Sequence, residues 1–197
     1  MHGEDGQNLV EFALLLPVLL YILMGIIQFG LIFAVYVTIN NSVREAARWG
    51  SIYVYDTSQS DTQNDVLRNQ GMVDRMYLSR GILNIPVRGS ASGNFNTTTT
   101  GSFALASCPP PGTTAALVEY AWYYGVNGTN PDVMICLARP TNPLVAPNNA
   151  RRGYYLDVET WYHLQVFIPL LQQFLPDDPV KGAPWIRLPG RITVVVN

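Results

Sequence analysis

Charge is what this chain has least of for its size. Of 197 residues only 13% are Asp, Glu, Lys or Arg, against 48% hydrophobic, and the formal net charge is −2. A nucleic-acid binder would carry a basic patch, so this balance argues against nucleic acid as a partner. Cysteine and histidine are scarcer, with two of each, and His2 lies in the first six residues, leaving His163 as the histidine of the body. There is no CxxC spacing or histidine cluster to hold zinc. G-x-S-x-G, HExxH, glycine-rich phosphate loops and EF-hand loops are also missing. No enzyme activity, metal or cofactor is expected. The first six residues contain no Lys or Arg, and no small-residue cleavage site follows a short apolar core, so an ordinary secretory signal does not fit.

In place of charge the chain has one very long apolar run. From Phe12 to Ile39 the polar side chains are Gln28, Thr38 and the phenols of Tyr21 and Tyr36. This exceeds the ~20 apolar residues that a helix needs to cross a bilayer. The apolarity continues right round the helical wheel, unlike the one-sided stripe of a soluble surface helix. A single membrane-spanning helix is expected. Glu11 stands at its start, where a carboxylate moved toward hydrocarbon costs roughly 2–3 kcal/mol or more. Glu11 either pairs with a cation or sits in the headgroup layer and marks where the membrane begins. A cut between Gly6 and Gln7 would create an α-amine that could neutralise Glu11 of a neighbouring copy. Pro17 takes away the hydrogen bond to the Ala13 carbonyl and should kink the helix, as a tolerated bend or as a hinge. Gly30 and Ala34 form a small-xxx-small pair on which another helix could pack. Residues 40–48 continue the helix beyond the membrane, with Arg44 and Arg48 on one face and Val43, Ala46 and Ala47 on another. Gly50 reads as the glycine just past its end.

A turn-rich connector follows, and Ser60-x-x-Gln63 reads as a capping box opening a second helix to about Leu83. Val66, Val73, Met76, Tyr77 and Leu83 make its packing stripe, while Asp65, Arg68, Asp74 and Arg75 are expected mostly elsewhere. Gly71 and Gly81 weaken its continuity. Beyond Pro86 the composition turns to strand and loop. Short strands are expected near 102–107, 115–124 and 132–138, with a polar loop at 89–101. A closing antiparallel hairpin is expected from 154–166 and 186–196. His163 is expected to pack across strands, and Asp177-Asp178 to form a solvated turn. The fold class is α+β: a long N-terminal helix, a short helix and an antiparallel β-sheet head.

Gly6 before Gln7-Asn8-Leu9-Val10-Glu11-Phe12 resembles the class III signal of type IV pilins. The longer pattern is similar to the TadE-like proteins of the tight-adherence (Tad) pilus: Glu11-Phe12, Pro17 in a leucine-rich run, Gly25-Ile26-Ile27-Gln28-Phe29-Gly30, and Arg44-Glu45-Ala46-Ala47-Arg48. The closing pair of strands around Pro169-Leu170-Leu171 adds to the likeness. The resemblance covers both ends of the chain and leaves the middle unmatched. It implies a leader at 1–6 and a membrane and filament-core helix at 7–50, followed by the connector and second helix read at 51–84 and a β-rich head at 85–197 that it places outside the cytoplasm. It implies cleavage by a prepilin peptidase between Gly6 and Gln7, and assembly through Glu11, Phe12 and Pro17. The partners would be copies of this chain, other pilins and, before assembly, membrane lipid. Arg44 and Arg48 follow the span, so the positive-inside rule alone points to a cytoplasmic C-terminus; the resemblance implies the opposite, and the reading follows it.

In that compartment Cys108 and Cys136 are a disulfide candidate, worth roughly 3–4 kcal/mol on the chain-entropy estimate, the alternative being two buried thiols. Asn96 and Asn127 match the N-glycosylation acceptor pattern, as does Asn40. Two other functions compete: an anchored extracytoplasmic binding domain that never polymerises, and an anchored hydrolase built on carboxylates.

Overall fold

The computed structural model describes residues 4–81, 83, 118–124, 132–138 and 152–197. The elements run α1 (Glu4–Ser51), α2 (Asp61–Ser79), β1 (Val118–Tyr124), β2 (Val133–Ala138), β3 (Tyr155–Gln165), α3 (Pro169–Gln172) and β4 (Trp185–Val195). This is the expected α+β layout. The sheet order is β1-β2-β3-β4. β1 and β3 both run antiparallel to β2, with Ile135 opposite Trp122 on one side and Val158 on the other. β3 and β4 form the closing hairpin: Val196 N donates to the Tyr154 carbonyl at 2.9 Å, and Val166 N to the Pro184 carbonyl at 2.8 Å. The strand expected at 102–107, the polar loop at 89–101, Cys108, Asn96 and Asn127 lie outside the described residues.

The chain divides into two compact units, Met1–Val35 with His163–Ile186, and Tyr36–Tyr162 with Arg187–Asn197. The second holds a packed core. Ile39, Val43, Ala46 and Ala47 of α1, Met72 and Met76 of α2, all of β2, and Leu156 and Val158 of β3 are buried there. Two of its glycines let one element rest closely on another. At Gly190 on β4 a Cβ would run into Ile39 and lie 3.3 Å from Val43 Cγ2, so the strand rests directly on the helix. At Gly50 a Cβ would meet Met72 and lie 2.8 Å from Leu156 Cδ2. The expectation that Gly50 follows the helix end is corrected by this contact. α1 continues through it to Ser51, whose Oγ donates to the Arg48 carbonyl at 2.9 Å. Gly50 is needed for space, not for a left-handed turn. Arg44 and Arg48 are exposed opposite buried Val43, Ala46 and Ala47, as the sequence predicts.

α2 begins where its cap predicts, with Ser60 Oγ accepting from Gln63 N at 3.3 Å. It passes through Gly71 and stops at Ser79, short of the expected Leu83, with Gly81 in the left-handed region at φ 60°. Its buried face departs from expectation. Asn64, Asp65, Arg68 and Asn69 are buried in line with Met72, Val73 and Met76, so the first two turns bury polar side chains. The reason is local. Asn64 clamps the connector, accepting from Asp56 N at 2.8 Å and donating to the Asp56 carbonyl at 2.9 Å. Arg68 pairs with Asp65 at 2.9 Å and lies 5.6 Å from the centre of the Tyr55 ring. A buried polar group needs a partner; the connector backbone supplies one for Asn64, and Asp65 supplies one for Arg68.

Candidate assembly surface

The unit formed by Met1–Val35 and His163–Ile186 places the N-terminal site residues. α1 is regular from Glu4, so the Gly6–Gln7 bond lies within helix, and cleavage there would require the first turn to open. Glu11 and Phe12 are exposed, and helix assignment continues unbroken through Pro17. From Leu9 to Phe33 nearly every large apolar side chain faces outward, among them Leu14, Leu19, Ile22, Ile26 and Phe29. Gly30 has no atom within 4 Å of where a Cβ would stand, and Ala34 is exposed one turn on. Among the described residues α1 is a helix long and apolar enough to cross a membrane. An apolar surface this extensive is far larger than a soluble monomer carries and marks an interaction with lipid or protein.

Gln28 is the exception on this surface. It is 2% exposed, and its Oε1 accepts from Phe167 N at 3.1 Å, just beyond the end of β3. The sequence displayed the signal, an amide alone in an apolar run, but gave no hint of its partner 139 residues away.

Behind that contact the hairpin is held by a histidine–aspartate pair. His163 Nδ1 meets Asp178 Oδ2, while Asp178 Oδ1 accepts from Val180 N at 2.8 Å and Lys181 N at 3.1 Å. Asp178 is buried, not solvated as its turn-rich sequence predicts. Burial pushes its carboxyl up, but the hydrogen bonds from His163 and the two amides outweigh that and hold it below the usual carboxylate range. Neither segment of this unit contains a Ser, Thr or Cys.

In the other unit the sheet buries a charged cluster. Asp157 takes Arg191 through both oxygens, at 2.8 Å from Nη2 and 3.1 Å from Nε, and accepts from Thr193 Oγ1 at 2.7 Å. Glu159, two residues along β3 and so on the same face, has its carboxyl pushed up to about 7, chiefly by burial. The Arg187 guanidinium lies 4.4 Å from the centre of the Trp161 ring. Two acids at alternate positions of a strand rich in aliphatic and aromatic residues are the readable sign of this cluster. No group of three potential metal ligands occurs among the described residues. Cys136 is buried on β2, whereas Cys108 lies outside the described residues.

The apolar helix is also where likeness to known proteins falls. Residues 6–48 match the family of TadE-like proteins, a segment contained in α1. No curated protein and no solved structure is matched. The N-terminal helix of this chain is thus a TadE-like segment, and it associates the protein with the Tad pilus.

Proposed function

We propose that the chain is a structural, pilin-like subunit, held in the membrane by α1 and assembled through it into a Tad-type filament. The supporting observation is the TadE-like helix itself, apolar on all sides from Leu9 to Phe33 and led by Glu11. After cleavage at Gly6–Gln7 by a prepilin peptidase, the amine of Gln7 on one copy pairs with Glu11 on the next. Each charge then loses the cost of standing alone in an apolar bundle. Phe12 packs beside that pair, Pro17 lets the helix adjust during extraction, and Gly30 and Ala34 give neighbouring helices a close contact. The head faces away from the cytoplasm, and a Cys108–Cys136 disulfide there closes a loop of the β-rich region. In this reading the protein catalyses nothing.

N-terminal sequencing of protein sheared from the cell surface tests the proposal. A start at Gln7, together with loss of filaments in Glu11→Gln, is the expected result. Intact Met1 with normal localisation of the Glu11→Gln chain would instead identify a single-pass anchored binding domain that does not polymerise.

A further inference from the structure

The tip of the β3–β4 hairpin carries an apolar cluster that the proposed filament helix does not account for. Phe167 is 65% exposed, Leu170 59% and Phe174 77%. Leu170 lies in the turn of α3 and Phe174 just past its end, while Phe167 stands immediately before the extended cap residue Ile168. In that turn Leu171 N donates to the Ile168 carbonyl at 3.1 Å and Leu175 N to the Leu171 carbonyl at 3.2 Å. Gln172 donates to the Val166 carbonyl at 2.8 Å, which braces the turn against the end of β3, while Gln173 is exposed beside the apolar cluster. No charged residue occurs from Leu164 to Pro176.

Position makes this cluster informative. Gln28 ties Phe167 to α1 within a single compact unit. At about 1.5 Å per residue, Gln28 lies about 26 Å along the axis from Glu11. A hydrocarbon core is about 30 Å thick. If Glu11 marks one border, Phe167 is held near the other.

We propose that residues 167–174 form a second membrane contact, seated in the interfacial layer of the leaflet opposite the one that borders Glu11. The inference rests on α1 spanning the bilayer. Phe167, Leu170 and Phe174 enter the acyl boundary, as the apolar face of an interfacial helix does. Backbone groups can approach lipid there because the turn satisfies them internally. The rim of the tip has interfacial chemistry as well: Lys181 Nζ stands 4.2 Å from the centre of the Trp185 ring, an aromatic and a cation at headgroup level. Exposed Asp177 disfavours attraction to anionic lipid, so the contact depends on apolar burial and needs no negative headgroup.

The test is depth-dependent fluorescence quenching on the full chain in phosphatidylcholine vesicles. An indole introduced by Phe174→Trp is compared with one introduced by Tyr21→Trp, each read as the difference from the unsubstituted chain. Lipids brominated high on the acyl chain should quench the first roughly twofold or more, and deeply brominated lipids should quench the second, as interfacial and mid-span positions require. Aqueous acrylamide should spare both. Deep quenching of the Tyr21→Trp indole alongside acrylamide access to the Phe174→Trp indole would overturn the tip contact and leave the span intact. Shielding of the Phe174→Trp indole from both acrylamide and bromine would also overturn it, pointing to a second copy of the chain as its cover. Failure of the Tyr21→Trp indole to meet any bromine removes the span, and the proposal with it.

Discussion

α1 is two different objects along its length. From Leu9 to Phe33 its apolar side chains face outward all round, whereas from Val35 onward Val35, Ile39, Ser42, Val43, Ala46, Ala47 and Gly50 are buried at spacings of 3, 4 and 1. Both stretches belong to one continuous helix. The difference lies in distribution. The C-terminal stretch has a stripe, small residues within it and arginines opposite, and that stripe finds its partners inside the chain. The N-terminal stretch is covered within its own unit where the hairpin reaches Gln28, and most of its large apolar side chains stay exposed.

That contrast breaks hardest at the buried charges of the head. Asp157→Ala removes the carboxylate that holds Arg191 and Thr193, and should cost the head about 2–4 kcal/mol in chemical denaturation. Ile22→Ala, on the exposed stretch, should leave the same transition within about 0.5 kcal/mol. Equal losses would mean that the outward-facing stretch of α1 is energetically part of the head.

A matched pair of glycines sharpens the comparison. Gly190→Leu drives a side chain into Ile39 and Val43 and should destabilise the head by about 1–3 kcal/mol or more, seen as a lowered unfolding midpoint. Gly30→Leu meets open space and should leave that midpoint unchanged. On the proposed assembly it should instead lower filament yield, because bulk on the outer face keeps helices apart.

The next effect belongs to the head alone. Glu159 has its carboxyl raised from 4.5 to about 7, with burial the largest cause and neighbouring Asp157 adding to it, while Arg191 and Arg187 oppose. Between those values the folded chain binds the proton more tightly than the unfolded chain. The head should therefore lose stability as pH rises from about 4.5 to about 7, by on the order of 1–2 kcal/mol once solvent screening is allowed for. Glu159→Gln should flatten that slope in denaturation series at fixed ionic strength.

The legible parts of the sequence were those governed by local or one-dimensional rules. The apolar run, the Ser60 cap and the closing hairpin each follow from the order of residues along one element. The polar face of α2 did not, because Asn64, Asp65 and Arg68 are buried by a connector whose path no helical stripe encodes. Gly50 was misread for a similar reason: a glycine at a helix end and a glycine under a methionine look the same until the other element is in place. Asp178 read as a loop acid because its partner, His163, stands on another element 15 residues away. The assembly residues were read through family likeness. In the proposed assembly Glu11 pairs with a neighbouring copy, a contact that no single chain contains.

Gln28 is the smallest and most diagnostic of the perturbations, because it sits on the exposed stretch yet behaves like the buried one. Gln28→Leu deletes the acceptor of the Phe167 amide while leaving a side chain of similar bulk. The loss should be about 1 kcal/mol, confined to the hairpin tip. Hydrogen exchange at Phe167 should therefore quicken roughly fivefold, which is the same free energy expressed as an opening equilibrium. The denaturation midpoint of the head should not move, and insertion of α1 should be at least as good, since an amide has left the apolar run. If the Phe167 amide exchanges at its original rate, α1 does not hold the tip at that depth, and the tip would then have to be placed by the sheet.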